Sequence, residues 1–307
     1  MKSSSRTDVT TGPNGGGRPG RGRRLTPGRV VLAAVLIGTA LVWFIPLAWA
    51  IYTSLRPYDE TARKGYVSWP DTLTLQNYAD AFTQGDLGRF FFNTIIIVVP
   101  ALFITLFLAS MAAFVLSRFS FRGNLLALLI FTAGNLLPPQ VIITPLFHAF
   151  RYIPLPTFMN DSGTLLDSYW AVFLLHVAFQ VGFCVFVLAN FMKMIPDELS
   201  EAARIDGASV WRQYASVILP LSRPALAALG TLQFTWMYND FFWALTLIVS
   251  GDKRPITSAL DNLKGTFFTD NNLIAAASVL IAIPTVVVYF LLQKHFVRGL
   301  TVGATKG

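Results

Sequence analysis

Six runs of apolar residues, at 30–53, 90–116, 125–150, 169–194, 225–249 and 273–293, alternate with segments that carry most of the charge of the chain. Each run meets the ~20 residues needed to cross a hydrocarbon core about 30 Å thick, so the pattern predicts six membrane-spanning segments. In lipid every backbone polar group must be satisfied internally, and the period-2 alternation of a barrel is absent, so the spans are expected to be helices. The expected fold is all-α and polytopic, with both termini on one side.

Prolines punctuate this pattern. Pro138-Pro139 interrupts the third run, Pro220 and Pro224 mark the start of the fifth, and Pro46, Pro100 and Pro284 lie inside others. Proline removes an amide donor and kinks a helix, which a bundle tolerates when neighbours re-satisfy the freed carbonyls. Kinked spans with polar spots (Asn135, Gln140, His148, His176, Gln180, Gln233, Asn239 and Asp240) suit a pathway better than a passive anchor. The ordinary role of a single amide at such a depth is hydrogen bonding between helices. Asp240 stands apart, because an acid at membrane depth is costly and normally faces a cavity or a partner. It is either a site residue or a hydrogen-bonding acid at a helix break.

Composition agrees with the pattern. At 307 residues, the chain is 54% hydrophobic and 13% charged, against roughly 25% charged in soluble domains, and its mean hydropathy is +0.55. The single cysteine, Cys184, sits in an apolar run, which leaves no disulfide framework or cysteine metal site and makes it a packing residue. The net charge of +8 does not point to nucleic acid, since the basic residues are spread through the connections.

Their distribution orients the chain instead. With the N-terminal segment taken as inside, 16 of the 24 Lys and Arg fall inside and 8 outside, whereas 5 acids fall inside and 10 outside. The positive-inside rule then places both termini and the connection between the fourth and fifth runs in the cytoplasm. Residues 1–29, rich in Gly, Ser, Pro and Arg, have too little apolar surface to fold and read as a disordered basic tail suited to anionic lipid. Ala48-Trp49-Ala50 resembles a signal cleavage site, but the run from Val30 to Ile51 exceeds the 7–15 residues of a signal's apolar region, which favours an uncleaved span.

The connection between the fourth and fifth runs carries a second pattern. Pro196 suits a first helical turn, and Asp197, Glu198 and Glu201 place negative charge at its positive end. The predicted helix 196–206 ends at Gly207, which can take the left-handed conformation, and Ser209 can cap a following helix. On that second helix Val210, Tyr214, Val217 and Ile218 share a face until Pro220, and Glu201 is placed to pair with Arg204. An interfacial helix lying on lipid would favour Lys and Arg on its polar face. The 197–206 segment carries four acids against one base, and Ala202 and Ala203 leave a low surface, so a protein socket fits better.

These residues carry a resemblance. Glu201-Ala202-Ala203, Gly207 and Ile218-Leu219-Pro220 resemble, at the same spacing, the EAA motif of bacterial ABC-importer permeases. Ser54-Leu55-Arg56, Trp69-Pro70, Asn77-Tyr78 and Phe92-Asn93-Thr94 are similar to the first outer loop and second span of the sugar-importer branch, and Pro138-Pro139-Gln140 with Pro145-Leu146 to its third span. Asn239-Asp240-Phe241 with Trp243 resembles its WNEF-type element, and Phe296 to Thr301 with Gly303 and Lys306-Gly307 its C-terminal tail. On these residues, covering 30–307, the chain is identified as a member of the maltose-type carbohydrate permeases, as a six-span subunit. Tyr238 stands where the family usually has Trp, and Ala244 where Pro is common, which weakens a substrate role carried onto the fifth span. The 151–168 loop is longer than is common there, a place for adaptation to a particular binding protein.

The resemblance implies a non-catalytic pore half, organised as the 1–29 tail, a 30–295 permease domain with coupling helices at 196–219, and a 296–307 cytoplasmic tail. It implies that Glu201, Ala202, Ala203, Asp206, Gly207, Ile218, Leu219 and Pro220 couple to an ATPase. Asn239 and Asp240 become candidate pore or substrate residues, and Arg298, Gly299 and Lys306 tail contacts. The implied partners are two ATPase subunits holding ATP and Mg, a second permease, an extracellular solute-binding protein and its sugar, with no cofactor or metal on this chain. No G-x-x-x-x-G-K-[ST] loop occurs to bind ATP here. An ion-coupled transporter using Asp240 is the alternative, though it gives no reason for the 201–220 pattern. A membrane-embedded enzyme lacks its residues, since no H-E-x-x-H occurs and the three histidines are scattered.

Overall fold

The computed structural model describes residues 27–134, 138–263 and 269–301, with the backbone alone for 139, 140 and 292–301. Beside a single helical turn at Ile256–Ala259, twelve helices carry the architecture among these residues: α1 Pro27–Ser54, α2 Tyr58–Lys64, α3 Gln76–Thr83, α4 Leu87–Arg118, α5 Asn124–Ala133, α6 Pro139–Tyr152, α7 Tyr169–Lys193, α8 Glu198–Ile205, α9 Val210–Leu221, α10 Arg223–Tyr238, α11 Phe242–Leu247 and α12 Asn271–Thr301. A single β-bridge, Pro154 to Thr164, interrupts the helical pattern in the described residues. The chain divides into two compact units, 1–49 and 50–307; α1 begins in the first and ends in the second.

Helices α4 and α7 form the spine of the larger unit and run parallel. Near their starts Tyr169 Oη donates to Asn93 Oδ1 at 2.8 Å, and at their ends Arg118 Nη2 donates to Met192 O at 3.0 Å. Ala101, Thr105, Ala109 and Ala113 recur every four residues on α4 and are fully buried. Such small residues let helix backbones approach closely where no hydrophobic drive separates helix from lipid. The lower half of this seam, with Cys184, Val185, Leu188, Ala189 and Met192 of α7, takes in Tyr214 and Ile218 of α9. Toward the other end, Ile97 packs with Ala171, Val172 and Leu175 of α7 and with Trp243 and Leu247 of α11.

Four helices are long and apolar enough to cross a membrane among the described residues: α1, α4, α7 and 271–291 of α12. The pair α9 and α10, bent by 72°, makes a fifth if counted as one span. The sequence pattern puts six spans along the chain with the third interrupted at Pro138-Pro139, and the structure shows two breaks. The third run is divided into α5 and α6, with 135–137 outside the described residues; Pro138 is extended and Pro139 opens α6, since a residue before proline is pushed out of the helical region. The fifth run ends as a helix at Tyr238, and the chain breaks at 239–241 before α11. Pro46, Pro100 and Pro284 do not end the helices that hold them.

The connection after α1 is tied down by a buried ion pair that composition did not announce. Arg56 is fully buried; its Nη2 reaches Glu60 Oε1 at 2.7 Å and Ser68 Oγ at 2.8 Å, and Nη1 reaches the carbonyls of Gly65 and Tyr66. Glu60 also accepts from the amides of Asp71 at 3.1 Å and Thr72 at 3.2 Å. The Arg56 hydrogen bond, with the two amides behind it, holds the Glu60 carboxyl below its usual range. A depressed carboxyl contributes its stability above the unfolded pKa and loses it as pH falls through the folded value, so the loop is at full strength at neutral pH and loosens in acid. Glu60→Gln is expected to speed hydrogen exchange at the Asp71 and Thr72 amides at pH 7, and unchanged protection there would refute this account of the loop.

Candidate coupling surface and the Asp240 break

The exposed turn between α8 and α9 is built by local rules. Asp197 O accepts the amides of Ser200 and Glu201, opening α8 with Glu198 and Glu201 in its first turn. At the other end Gly207 has φ +76°, Ala208 N donates to Ala203 O at 2.9 Å, and Gly207 N donates to Arg204 O at 3.0 Å. This pair of bonds is the Schellman closure, in which a left-handed residue lets the chain turn back and satisfy the last carbonyls. Ser209 then caps α9 through Arg212 N, and Gln213 Nε2 donates to Ala208 O at 2.9 Å, pinning the turn from the far side.

The exposed face of α8 and its turn comprises Glu201, Ala202, Arg204, Ile205, Asp206 and Gly207, and Ile205 is 87% exposed. The predicted apolar face of the second helix is only half realised. Tyr214 and Ile218 are buried in the α4–α7 seam, with Tyr214 Oη 2.7 Å from Ser110 Oγ, but Val210 is 53% exposed and Val217 half-buried. Val210 lines, with Phe114, Trp211 and Tyr214, an open apolar cavity of about 380 Å³, so it shares their side of the helix without being covered, while residues 213–218 wind as a π-helix with Leu219 N bonded to Tyr214 O five residues back. Leu219 and Pro220 are half-buried and close the segment before the 72° bend at Ser222, whose hydroxyl donates to Ile218 O. Glu201 and Arg204 make no ion pair with each other; instead Arg118 of α4 pairs with Asp197.

Asn239 and Asp240 occupy the break between α10 and α11. Asn239 is exposed, and its amide donates to Thr235 O at 2.8 Å and Thr285 Oγ1 at 3.3 Å. The Asp240 side chain is turned inward. Its two oxygens accept from Trp243 N and Ala244 N, each at 3.2 Å, and His176 Nε2 lies 3.6 Å from Oδ2. The carboxylate therefore supplies acceptors to first-turn amides of α11 that have no preceding helical turn to bond. Thr257 Oγ1 donates to Asp240 O, tying the break to the loop beyond α11. Of the remaining candidates, Arg298 and Gly299 lie on the backbone of α12, which runs on to Thr301, and Lys306 is outside the described residues. Asn135 and the side chain of Gln140 also lie outside them.

The sequence pattern missed Arg118. It entered only as one inside charge, and nothing local marks its partners, which lie 74 to 79 residues away in the chain.

Long apolar helices and a small-residue seam define a polytopic membrane protein. Residues 105–302 match the family of binding-protein-dependent transport system inner membrane components, and this chain belongs to that family. It is an ABC importer permease, a non-catalytic subunit whose ATP hydrolysis is carried out by a separate chain.

Among its relatives, a probable ABC transporter permease protein of Pyrococcus horikoshii is 31% identical over 273 residues, 88% of this chain and 94% of the relative. The diacetylchitobiose uptake system permease of Streptomyces coelicolor is 31% identical over 272 residues, 88% of this chain and 86% of the relative. An alpha-glucoside transport system permease of Rhizobium meliloti is 32% identical over 239 residues, 78% of this chain and 62% of the relative. A chain from a bacterial ABC transporter that imports the polysaccharide alginate shares the fold at TM-score 0.74 and 23% identity, with 91% of this chain and all of that one covered.

Proposed function

We propose that this permease forms half of the translocation path for a sugar or oligosaccharide delivered by an extracytoplasmic solute-binding protein, with both termini and the α8–α9 turn in the cytoplasm. A second permease completes the path, and two ATPase subunits, which hold ATP and Mg, dock on Glu201, Ala202, Ala203, Asp206 and Gly207. Ile218, Leu219 and Pro220 connect that contact to the bundle.

The observation that carries this reading is the exposed, acidic, small-residue helix α8, held on a Schellman turn while α9 is anchored in the α4–α7 seam. A surface with four acids against one base, Arg204, fits a protein partner better than anionic lipid. Carbohydrate as the class of cargo is supported by the relatives described for diacetylchitobiose and alpha-glucosides. The ion-coupled alternative draws no support, because the Asp240 carboxylate already serves the α11 amides.

Reconstitution of the complete complex with its binding protein tests the proposal. ATP-dependent accumulation of a labelled oligosaccharide is expected, insensitive to an uncoupler at constant ATP. Uptake that collapses with the ion gradient, or that never depends on the binding protein, would overturn it.

A further inference from the structure

We propose that Arg118 is the strut that fixes the exposed helix α8 to the α4–α7 spine, so that movement imposed on α8 by a partner reaches the bundle without slack. The proposal deepens the import reading, on which it rests, by assigning a positioning residue outside the motif that resembles the coupling segment.

The Arg118 side chain is only 4% exposed. Nη2 donates to Met192 O at 3.0 Å and to Ile195 O at 2.9 Å, and Nη1 meets the Asp197 carboxylate. From the last residue of α4, one planar guanidinium thus reaches a carbonyl in the last turn of α7, the carbonyl of Ile195 in the link beyond it and the residue that opens α8. Each contact is of the favourable sign: a cation sits at the negative end of the α7 dipole, and a charge-assisted bond joins it to the carboxylate. Lysine has one compact ammonium and lacks the fork that serves acceptors on two sides. Pro196 lies between the two anchored carbonyls and Asp197, with its φ fixed by its ring, which stiffens the link.

The surroundings explain why the strut matters. A cavity of about 180 Å³ opens beside it, lined by Ser117, Asp197, Ser200, Glu201, Arg204 and Gln213. Arg118 Nε and Ser200 Oγ have no protein partner. Helix α8 is therefore not pressed solidly onto the end of α4. With open polar space on that side, its position depends on the Arg118–Asp197 contact and on its packing against residues 213–218 of α9.

The test uses the complete complex with Arg118→Gln, Arg118→Lys and Asp197→Asn. Arg118→Gln is expected to lower uptake and binding-protein-stimulated ATPase about tenfold while the complex still assembles, with Lys intermediate and Asp197→Asn in the same direction, in the range typical of coupling between sites. Spin labels at Phe121→Cys and Ile205→Cys on a Cys184→Ala background give a second readout, which a role in folding alone would leave unmoved. Their distance distribution is expected to be narrow with Arg118 and broad with Gln. Should Arg118→Gln fail to assemble, Asp197→Asn decides, since the Asp197 side chain is 80% exposed and its loss does not threaten the core. An unchanged distance distribution together with unchanged stimulated ATPase in the assembled variants would overturn the strut. An unmodified complex without ATP-dependent uptake would overturn the import reading itself.

Discussion

Replacement of Gly207 by valine is expected to abolish most uptake while leaving insertion and subunit stability intact. At φ +76° the position lies in the left-handed region, which costs an L-residue roughly 1–2 kcal/mol and a β-branched one more. A Cβ built on Gly207 meets nothing within 4 Å, so the penalty comes from backbone conformation and not from a clash. If valine drives the turn out of this region, the bonds from Ala208 N to Ala203 O and from Gly207 N to Arg204 O open, each worth about 0.5–1.5 kcal/mol. Together these terms amount to a few kcal/mol, which is enough to leave α8 misdirected in most molecules, since about 1.4 kcal/mol is a factor of ten in population. The α4–α7 seam lies beyond the turn and stays packed. Asparagine, which tolerates the left-handed region, is expected to restore uptake to within a few-fold of glycine. Uptake and stimulated ATPase measured side by side decide the matter. Valine and asparagine variants that behave alike would remove the conformational argument.

The turn was legible in the sequence because its signals are local. Gly207 at C′, Ser209 as cap and acids in the first turn of α8 each act within four residues, and each appears as expected. The long helices α4 and α7 were legible for a similar reason: an unbroken apolar run in lipid has one economical backbone solution. What escaped depends on contacts across the fold. The π-helical stretch at 213–218 follows no periodicity that a 3.6-residue template detects, and the open cavity beside Phe114 that leaves Val210 uncovered depends on the neighbouring helix. Arg56 is legible as part of the Ser54-Leu55-Arg56 resemblance, but its pairing with Glu60 is not, and only their burial and the contacts to 65–72 show that they organise the connection. Arg118 is the same case at the opposite end, a lone basic residue after an apolar run whose meaning lies in Met192, Ile195 and Asp197. Charge counting orients a chain in the membrane, but it does not pair charges.

Asp240→Ala is expected to destabilise the break before α11, and a series of substitutions there separates a capping acid from a coupling or substrate-binding one. In the structure both carboxylate oxygens accept backbone amides, and the residue carrying one of them, Trp243, is buried in the Ile97–Leu175 cluster. Removing a side-chain cap costs roughly 0.5–2 kcal/mol, and leaving buried amides unmatched raises the figure toward its upper end. Hydrogen exchange at Trp243 and Ala244 should then accelerate by about tenfold, since about 1.4 kcal/mol corresponds to that factor. Asn and Ser keep an oxygen that can accept one amide yet carry no charge, so each should retain much of the protection and of the uptake that Ala loses. A carboxylate that moved protons or gripped cargo by its charge would behave differently: Asn, Ser and Ala would all be inactive, and only Glu would survive. Asn239 beside it is exposed, with its amide held by Thr235 and Thr285, and under the proposed function it is the candidate of the two for contact with the sugar. Asn239→Ala is accordingly expected to change uptake while leaving exchange at Trp243 and Ala244 untouched, which sets the roles of the two neighbours apart in one experiment.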